Sequence, residues 1–587
     1  MKRIFHIVLL LFTPFAMLAQ PYYLKGQVQD DKGNMLQNVS IQISSTGYVY
    51  YSGLSGTFGI VTTRKMDTLT FFLDGYERKK LPEDATTFNI ITLKKLPQVK
   101  STPSSRLSSL TQNLKREVQQ QWFVGEETYA SIIENQFINV AAYPATDITL
   151  NIDCASYSNI RRFLNMGSVV PSDAVRIEEM LNYFNFSYIE PPDHQTFSIR
   201  STLTACPWNE ANYLLFTHIH SKKIPLEGLP PSHLVFLIDV SGSMDMPNRL
   251  PLLKSGFRGL INNLRPIDSV SVVVYGGTIG IMLNTTSGAE KEKIFKAIDS
   301  LQPGGSTPGE SGIKLAYSVA RNHFIKGGNN RVILATDGDF NVGLRTDEEL
   351  EEMIITQRHM GIYLTCLGVG MGNYKDSKIQ VLAQKGNGNF AYIDSYTEAE
   401  RVLVKEFTQT FYTVADDAYL NAQFNPEYVK MYRLIGFDNK VGAIKDTTAT
   451  IEGGEIGSAH SMIIAFEIVP TEKALESVKN KLPLMPASFQ LHYKIPGSTV
   501  QCRLKENAQL TFVPSDQLNR CYRFATAVVA FGLLLRNSKF IKGYSWNEVA
   551  ALAAASADKE HPSQTEFLTL VQQAKNIYKK KRRAKEY

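Results

Sequence analysis

The chain has 587 residues, more than a single hydrophobic core accommodates, so its length predicts about three to five domains. Hydrophobic residues make up 43% and charged residues 20%, a composition that excludes disordered and collagen-like chains. The formal net charge is +6 and the basic residues are scattered, so charge gives no case for nucleic-acid binding.

The N-terminus has the pattern of a targeting segment. Lys2 and Arg3 precede an apolar run that ends before Ala19 and Gln20. A charged start, a short apolar stretch and a small residue at the end are typical of a secretory signal, so we predict a signal peptide over residues 1–19. The run is shorter than the roughly 20 residues that span a bilayer. We therefore expect an exported, periplasmic or envelope-associated protein, with an N-terminal anchor as the alternative.

The five cysteines are an odd number, which leaves at least one of them unpaired within an exported chain. Cys366 lies in an apolar run and is interpreted as a small buried residue. Disulfides between Cys154 and Cys206, or between Cys502 and Cys521, stay open from the sequence. None of the five has the spacing of zinc ligands.

Residues 20–96 consist of short alternating segments separated by turn residues. Residues 25–29 and 38–43 alternate with period two, and the turn residues at 30–34 separate them. Several such strands in a short segment predict a small β-sandwich. The order of the segments resembles the carboxypeptidase regulatory-like domain, which is a transthyretin-like sandwich. Residues 97–125 are rich in Ser, Gln and charge and are predicted to be a linker.

The remaining chain divides into three predicted regions. Residues 126–230 mix strands with a helix that Ser172 is expected to cap after Pro171. In residues 231–413, near-continuous apolar runs alternate with amphipathic helices, which predicts a doubly wound α/β domain with a mostly parallel sheet. Residues 414–587 read as strands followed by helices. The four apolar runs lie at 233–238, 269–274, 331–335 and 362–367.

The first of these runs ends in a cluster of oxygen-bearing side chains. Asp239, Ser241 and Ser243 alternate, so in an extended segment all three point to one side, and Gly242 allows the backbone to bend around that point. Thr307 lies in a glycine-rich loop, and Asp337 ends the third run. Open α/β sheets bind ligands beyond the carboxyl ends of their strands, where these loops would meet.

The three elements together resemble the metal-ion-dependent adhesion site of von Willebrand factor type A domains, with no departure at any of the five positions. The resemblance implies that Ser241, Ser243 and Thr307 ligate a divalent ion directly, while Asp239 and Asp337 act directly or through water. Hydroxyl and carboxylate oxygens are hard ligands that suit Mg²⁺; Mn²⁺ would satisfy the same set, and Ca²⁺ is disfavoured.

Such a site would leave one coordination position open to solvent, which an Asp or Glu of a protein partner could fill. Asp339 and Glu310 lie near these loops, and both are interpreted as structural residues. Glu310 is expected in the first turn of a helix, where a carboxylate meets the positive end of the dipole.

Motifs on both sides of the α/β region resemble a bacterial family of secreted or lipoprotein members that carry a type A domain between two associated regions. Cys154 stands where many relatives have Thr, which leaves any role of that residue in doubt. The motifs lie at 151–157, 159–165, 176–184, 207–209, 522–532, 535–538 and 566–571.

The sequence favours a non-enzymatic interaction or adhesion protein. It contains no His-Glu-x-x-His, no Gly-x-Ser-x-Gly and no phosphate-binding loop. His218 and His220 share a strand face and are interpreted as surface or half-buried residues rather than as ligands. A Mg²⁺-dependent envelope hydrolase and a metal that only fastens two domains of this chain stay as alternatives. The basic tail at 579–585 is interpreted as a solvated helix end, with contact to anionic lipid or cell wall as the alternative.

Overall fold

The computed structural model describes residues 22–585 except 47–48, 54, 63, 74–75, 96–105, 109–126, 128, 185, 278, 306–308, 339–346, 371–375, 439–452 and 499. The predicted signal peptide lies outside the described residues. Two compact units divide the chain, Met1–Ser104 and Ser105–Tyr587. Among the helices in the described part, none has the length and apolar character needed to cross a bilayer.

The first unit is a β-rich domain, and the seven strands in its described residues form two sheets, with the orders β4-β1-β7 and β3-β2-β5-β6. Buried and exposed residues alternate along β4, as expected for a strand with one face on a core. Leu24, Ile60 and Leu69 belong to that core. The likeness to a regulatory-like domain stays a prediction. The strands are β1 (Tyr22–Asp30), β2 (Ser40–Ile43), β3 (Val49–Tyr51), β4 (Thr57–Thr62), β5 (Met66–Phe72), β6 (Lys79–Asp84) and β7 (Phe88–Leu93).

The second unit begins with short strands and two helices. Its first elements are β8 (Arg106–Ser108), β9 (Ile138–Asn139), β10 (Ala145–Thr149), α1 (Ala155–Asn165), α2 (Ile177–Asn182), β11 (Phe197–Ala205) and β12 (Tyr213–Ser221). The helix expected after Pro171 is interrupted: Ser172 lies in a 3₁₀ turn, and α2 starts only after Arg176. The buried Ser156 hydroxyl explains the break, because it accepts from the Arg176 N–H and donates to the Ala174 carbonyl.

The α/β domain has a six-stranded sheet in the order β15-β14-β13-β16-β17-β18, in which only β15 runs antiparallel to its neighbour. Phe236 and Ile238 face one core and Val235 and Leu237 the other, so helices cover both faces and the doubly wound fold is confirmed. The elements are β13 (Ser232–Asp239), α3 (Leu250–Asn263), β14 (Ser269–Tyr275), β15 (Gly280–Ser287), α4 (Lys291–Asp299), α5 (Gly309–Asn322), β16 (Asn329–Thr336), α6 (Asp347–His359), β17 (Ile362–Val369), α7 (Asp376–Lys385), β18 (Phe390–Ile393), α8 (Tyr396–Glu400), a π-helix (Arg401–Lys405) and α9 (Phe407–Phe411).

The segments before and after the α/β domain share two further sheets. One has the order β24-β23-β19-β10-β8, with β21 beside β19, and the other has the order β25-β11-β12-β22-β20-β9. Leu215 points into the core between these sheets, and Leu214 points to the opposite face, where the helices pack. The C-terminal elements are β19 (Thr413–Phe424), β20 (Val429–Ile435), β21 (Gly454–Gly457), β22 (Ser461–Pro470), α10 (Glu472–Lys479), β23 (Ala487–Lys494), β24 (Gln501–Asn507), β25 (Phe512–Val513), α11 (Arg520–Leu535), α12 (Trp546–Ser556) and α13 (Pro562–Lys585).

All five cysteines are free, so neither disulfide left open by the sequence is present. Cys366 is fully buried on β17, as predicted, and Cys206 is buried as well. Burial raises the pKa of the Cys154 thiol to about 12, although the neighbouring Arg401 guanidinium acts in the opposite direction, so the thiol is protonated at neutral pH.

Candidate metal centre

The candidate centre lies where three parallel strands end at the same edge of the sheet. Strand β13 pairs with β14 on one side and β16 on the other, and the register sets Asp239 opposite Tyr275 and Ile238 opposite Ala335. Asp337 follows β16 directly and therefore reaches the same edge as Asp239. The topology thus brings together two carboxylates that lie almost a hundred residues apart in the chain.

The first loop folds back on itself through its own polar groups. The Ser241 N–H donates to Asp239 Oδ1 at 2.8 Å, and the hydroxyls of Ser241 and Ser243 are hydrogen bonded at 3.0 Å. The expectation of an extended segment through Ser243 is wrong, because the chain enters a 3₁₀ turn, Gly242–Met244. The two hydroxyls still converge, and it is the turn rather than strand alternation that brings them together.

Asp239 is deeply buried, with 1% of its surface exposed. Its second oxygen, Oδ2, accepts from the Tyr275 hydroxyl at 3.1 Å and from the Thr336 hydroxyl at 3.2 Å. Burial raises the pKa of Asp239 to about 6, and the nearby charge of Asp337 acts in the same direction. Asp239 and Asp337 are both buried and their negative charges repel each other, so a cation between them would stabilise both charged forms.

Asp337 is 3% exposed and accepts from the Arg249 guanidinium, whose Nη1 lies 2.5 Å from Asp337 Oδ2. The same nitrogen donates to the Ser243 carbonyl at 2.6 Å. Sequence reasoning missed Arg249, Tyr275 and Thr336. Tyr275 and Thr336 could have been identified only from the strand register, because both lie on the strands that flank Asp239.

Backbone from two further loops encloses the first loop. The Val240 N–H donates to the Tyr275 carbonyl at 2.7 Å, and the Gly242 N–H donates to the Gly305 carbonyl at 3.1 Å. Gly276 has a φ of +111°, and a Cβ there would lie 2.2 Å from the Ser241 nitrogen and 2.9 Å from Asp239 Oδ1. Position 276 therefore requires glycine for both its backbone angle and its space.

Thr307 and Asp339, both named from the sequence, lie outside the described residues. Gly305 does bring the loop that precedes Thr307 against the first loop. Glu310 lies in the first turn of α5 and pairs with Lys314 at 2.5 Å, which agrees with its structural interpretation. Across the described part of the chain, no group of three or more His, Cys, Asp or Glu is placed to hold a metal ion. A metal at this edge would therefore depend on the hydroxyls.

The donors present fit a small hard cation. Two buried carboxylates supply charge that offsets a divalent ion, and two adjacent hydroxyls supply neutral oxygen ligands. Ser243 is exposed, so the centre opens to solvent on its hydroxyl side. The structure thus brings Asp239, Ser241, Ser243 and Asp337 to one edge of the sheet, and their role as metal ligands stays a prediction.

The histidine pair considered from the sequence has a different setting. His218 and His220 lie on β12 with 3% and 0% exposure and ring centroids 3.9 Å apart. The expectation of surface or half-buried side chains is wrong, because both faces of β12 are covered. His218 Nε2 lies 2.7 Å from the Ser461 hydroxyl, so the pair belongs to the packing of the flanking sheets.

Three family models match successive parts of the chain. Residues 124–216 match a family described as von Willebrand factor, residues 233–408 match the von Willebrand factor type A domain, and residues 409–577 match "Uncharacterized protein YfbK, C-terminal". A solved structure, the von Willebrand factor type A protein from Catenulispora acidiphila, covers 66% of this chain and 90% of its own, with 14% identity and a TM-score of 0.40.

Two curated proteins are similar in sequence. The uncharacterized protein sll0103 of Synechocystis sp. is 28% identical over 207 residues, which are 35% of this chain and 45% of that protein. The uncharacterized protein YfbK of Escherichia coli (strain K12) is 36% identical over 480 residues, which are 77% of this chain and 82% of that protein. With its central type A domain and a matching C-terminal region, the chain belongs to the YfbK family of von Willebrand factor type A domain proteins.

Proposed function

We propose that this chain is a non-enzymatic interaction protein of the cell envelope that binds a protein partner through a divalent metal ion. Mg²⁺ is the ion we assign, held by Asp239, Ser241, Ser243, Thr307 and Asp337, and Mn²⁺ fits the same donors. Type A domains are typically modules of protein interaction and adhesion, which supports a role in binding. The signal-like N-terminus supports export.

Charge balance supports the choice of ion. Asp239 and Asp337 bring two negative charges into a site where less than a twentieth of either residue is exposed. Burying like charges side by side is unfavourable, and a divalent cation removes the repulsion. The hydroxyls of Ser241 and Ser243 add oxygen donors without adding charge, so the ion would remain electron-poor and attract a further anionic ligand.

The exposure of Ser243 is the observation that carries the proposal. The carboxylates are covered by protein, whereas Ser243 is exposed to solvent. A ligand that completes the coordination would therefore arrive from outside. An Asp or Glu of a protein partner has the right chemistry, because its carboxylate is a hard, anionic oxygen ligand.

A capture experiment tests the proposal. The tagged full chain is incubated with envelope extract of its source organism in Mg²⁺ or in EDTA, and captured proteins are cross-linked and identified. Asp239→Ala removes a proposed ligand, and Asp245→Asn, an exposed carboxylate six residues further on, is the matched control. We expect a partner in Mg²⁺ with the wild type and the control. The same partner should be lost in EDTA and with Asp239→Ala.

A second step identifies the contact. Carboxylates of the partner within the cross-linked region are replaced one at a time by the corresponding amides, and we expect one replacement to abolish capture. If neither EDTA nor Asp239→Ala reduces the amount of partner captured, the role of the metal is contradicted. Capture that needs the metal but survives every replacement would contradict the role of a partner carboxylate.

A further inference from the structure

Arg249 occupies a fixed position between two parts of the candidate metal centre. Its Nη1 donates to the Ser243 carbonyl at 2.6 Å and to Asp337 Oδ2 at 2.5 Å. The side chain is 12% exposed, so this contact lies in a partly desolvated setting where charge acts strongly. One guanidinium thus links the loop after β13 to the carboxylate after β16.

The backbone at the end of β17 leaves room for the Arg249 side chain. Gly370 follows β17 with a φ of +79°, and a Cβ there would lie 2.5 Å from Arg249 Nε and 3.1 Å from its Cδ. The buried Tyr392 hydroxyl, from β18, donates to the Gly370 carbonyl and holds that backbone in place. The Arg249 side chain therefore lies in a slot formed by the segments that follow β13, β16 and β17. This enclosure fixes its position beside Asp337.

The charge of Arg249 has a direct consequence for any cation that Asp337 holds. Asp239 and Asp337 together balance a divalent ion, which would leave the loaded centre neutral. Arg249 adds one positive charge beside Oδ2 of Asp337. Like charges separated by a single carboxylate repel, so the ion binds more weakly, and the loaded centre is left with a net positive charge.

We propose that Arg249 tunes the metal centre, lowering its affinity for the divalent ion and raising the affinity of the loaded centre for an anionic ligand. This inference rests on the proposed function, because it requires that the centre binds a metal. It assigns Arg249 to the recognition of acidic partners, in addition to its contact with Asp337. Arg249 acts through Asp337 and through space, so it is a positioning residue rather than a ligand.

Metal titration of the full chain tests the inference. Mn²⁺ is added to the wild type, Arg249→Gln and Arg249→Lys, and free Mn²⁺ is followed by electron paramagnetic resonance. Arg258→Gln is the matched control, since Arg258 lies on the following helix and its ion pair with Asp299 is about half exposed. Even when screened as strongly as in bulk water, a unit charge about 6 Å from a divalent ion changes an equilibrium constant about tenfold, and the partly desolvated setting of Arg249 makes this a lower limit.

We therefore expect Arg249→Gln to lower the dissociation constant for Mn²⁺ at least about tenfold, with Arg249→Lys and Arg258→Gln within about threefold of the wild type. A purely structural Arg249 would give the opposite result, because losing its hold on Asp337 would weaken Mn²⁺ binding in both Arg249 variants. Unchanged or weaker binding by Arg249→Gln overturns the inference. If Arg249→Gln does not fold, Arg249→Met, which is also neutral, is titrated with the same expected result.

A second readout concerns the anionic ligand. Acetate serves as the probe, and its binding to the Mn²⁺-loaded chain is followed by the relaxation rate of water protons, which falls as acetate displaces water from the ion. We expect weaker acetate binding by Arg249→Gln than by the wild type, although the variant holds Mn²⁺ more tightly. Equal or tighter acetate binding contradicts the role in recognition. A wild type that binds no Mn²⁺ would refute the proposed function itself and is thereby told apart from failure of this inference.

Discussion

Arg161 fastens the α/β domain to both flanking segments. It lies on α1 and its guanidinium pairs with Asp394 at 2.5 Å, with Glu398 at 2.8 Å and with Glu566 at 3.0 Å. Its side chain is 5% exposed, and those of Asp394 and Glu398 are 7% and 0% exposed. One cation therefore compensates carboxylates from the end of β18, from α8 and from α13.

Arg161→Met keeps much of the side-chain volume but leaves the Asp394 carboxylate buried without this partner. Breaking a buried ion pair by removing one member costs about 3–5 kcal/mol, most of it for the charge left behind. Arg401 still pairs with Glu398 at 2.5 Å, which places the expected loss toward the lower end of that range. Arg258→Met is the control, because its pair with Asp299 is about half exposed and such pairs contribute about 0–1 kcal/mol.

Urea unfolding of the full chain, followed by circular dichroism, measures the difference. We expect a clear fall in the unfolding midpoint for Arg161→Met and little change for Arg258→Met, with both variants read by the same probe. A midpoint for Arg161→Met no lower than that of the control would refute the view that this buried pair network joins the three segments.

Three further predictions follow from other parts of the molecule. Burial lowers the pKa of His220 to about 4 and that of His460 to about 3, from an unfolded value of 6.5, so the unfolded chain takes up the protons. The stability advantage of the wild type over His220→Asn should therefore shrink as the pH drops from 6.5 toward 4, and a difference in melting temperature that does not change with pH would contradict a neutral buried imidazole. Gly276→Ala should abolish Mn²⁺ binding, whereas Gly280→Ala, whose Cβ would meet nothing within 4 Å, should leave it intact; equal effects would contradict the enclosed loop. A thiol assay in denaturant, without reductant, should count five thiols per chain, and three or fewer would reveal a disulfide that the structure lacks.

The sequence predicted the α/β domain well because its strands are buried on both faces. The apolar run predicted at 269–274 is observed as β14, Ser269–Tyr275, and the run at 362–367 as β17, Ile362–Val369. Such strands carry an apolar residue at nearly every position, so composition alone identifies them. The convergence of Asp239 with Asp337 followed from the rule that parallel strands end at one edge.

The pairing of strands far apart in the chain and the burial of charged side chains could not be predicted from the sequence. Strand β10 pairs with β19 across more than 250 residues of chain, and neither strand carries a pattern that selects the other. Arg331 is 0% exposed and pairs with Glu455 at 2.6 Å, although arginine is usually a surface residue. Arg249 was missed for the same reason, since nothing near it in sequence marks a guanidinium that turns toward the loop after β13.

Calorimetric titration of the full chain with Mg²⁺ tests the central claim most directly, since it asks whether the five assigned residues hold an ion. Ser243→Ala is the informative variant, because the exposed hydroxyl can be removed without disturbing the core, and Asp245→Asn is its control. We predict one Mg²⁺ site per chain in the wild type and the control, with binding weakened at least tenfold by loss of the Ser243 ligand. A wild type that binds no Mg²⁺, or a Ser243→Ala variant that binds it as tightly as the wild type, would contradict the metal centre described above.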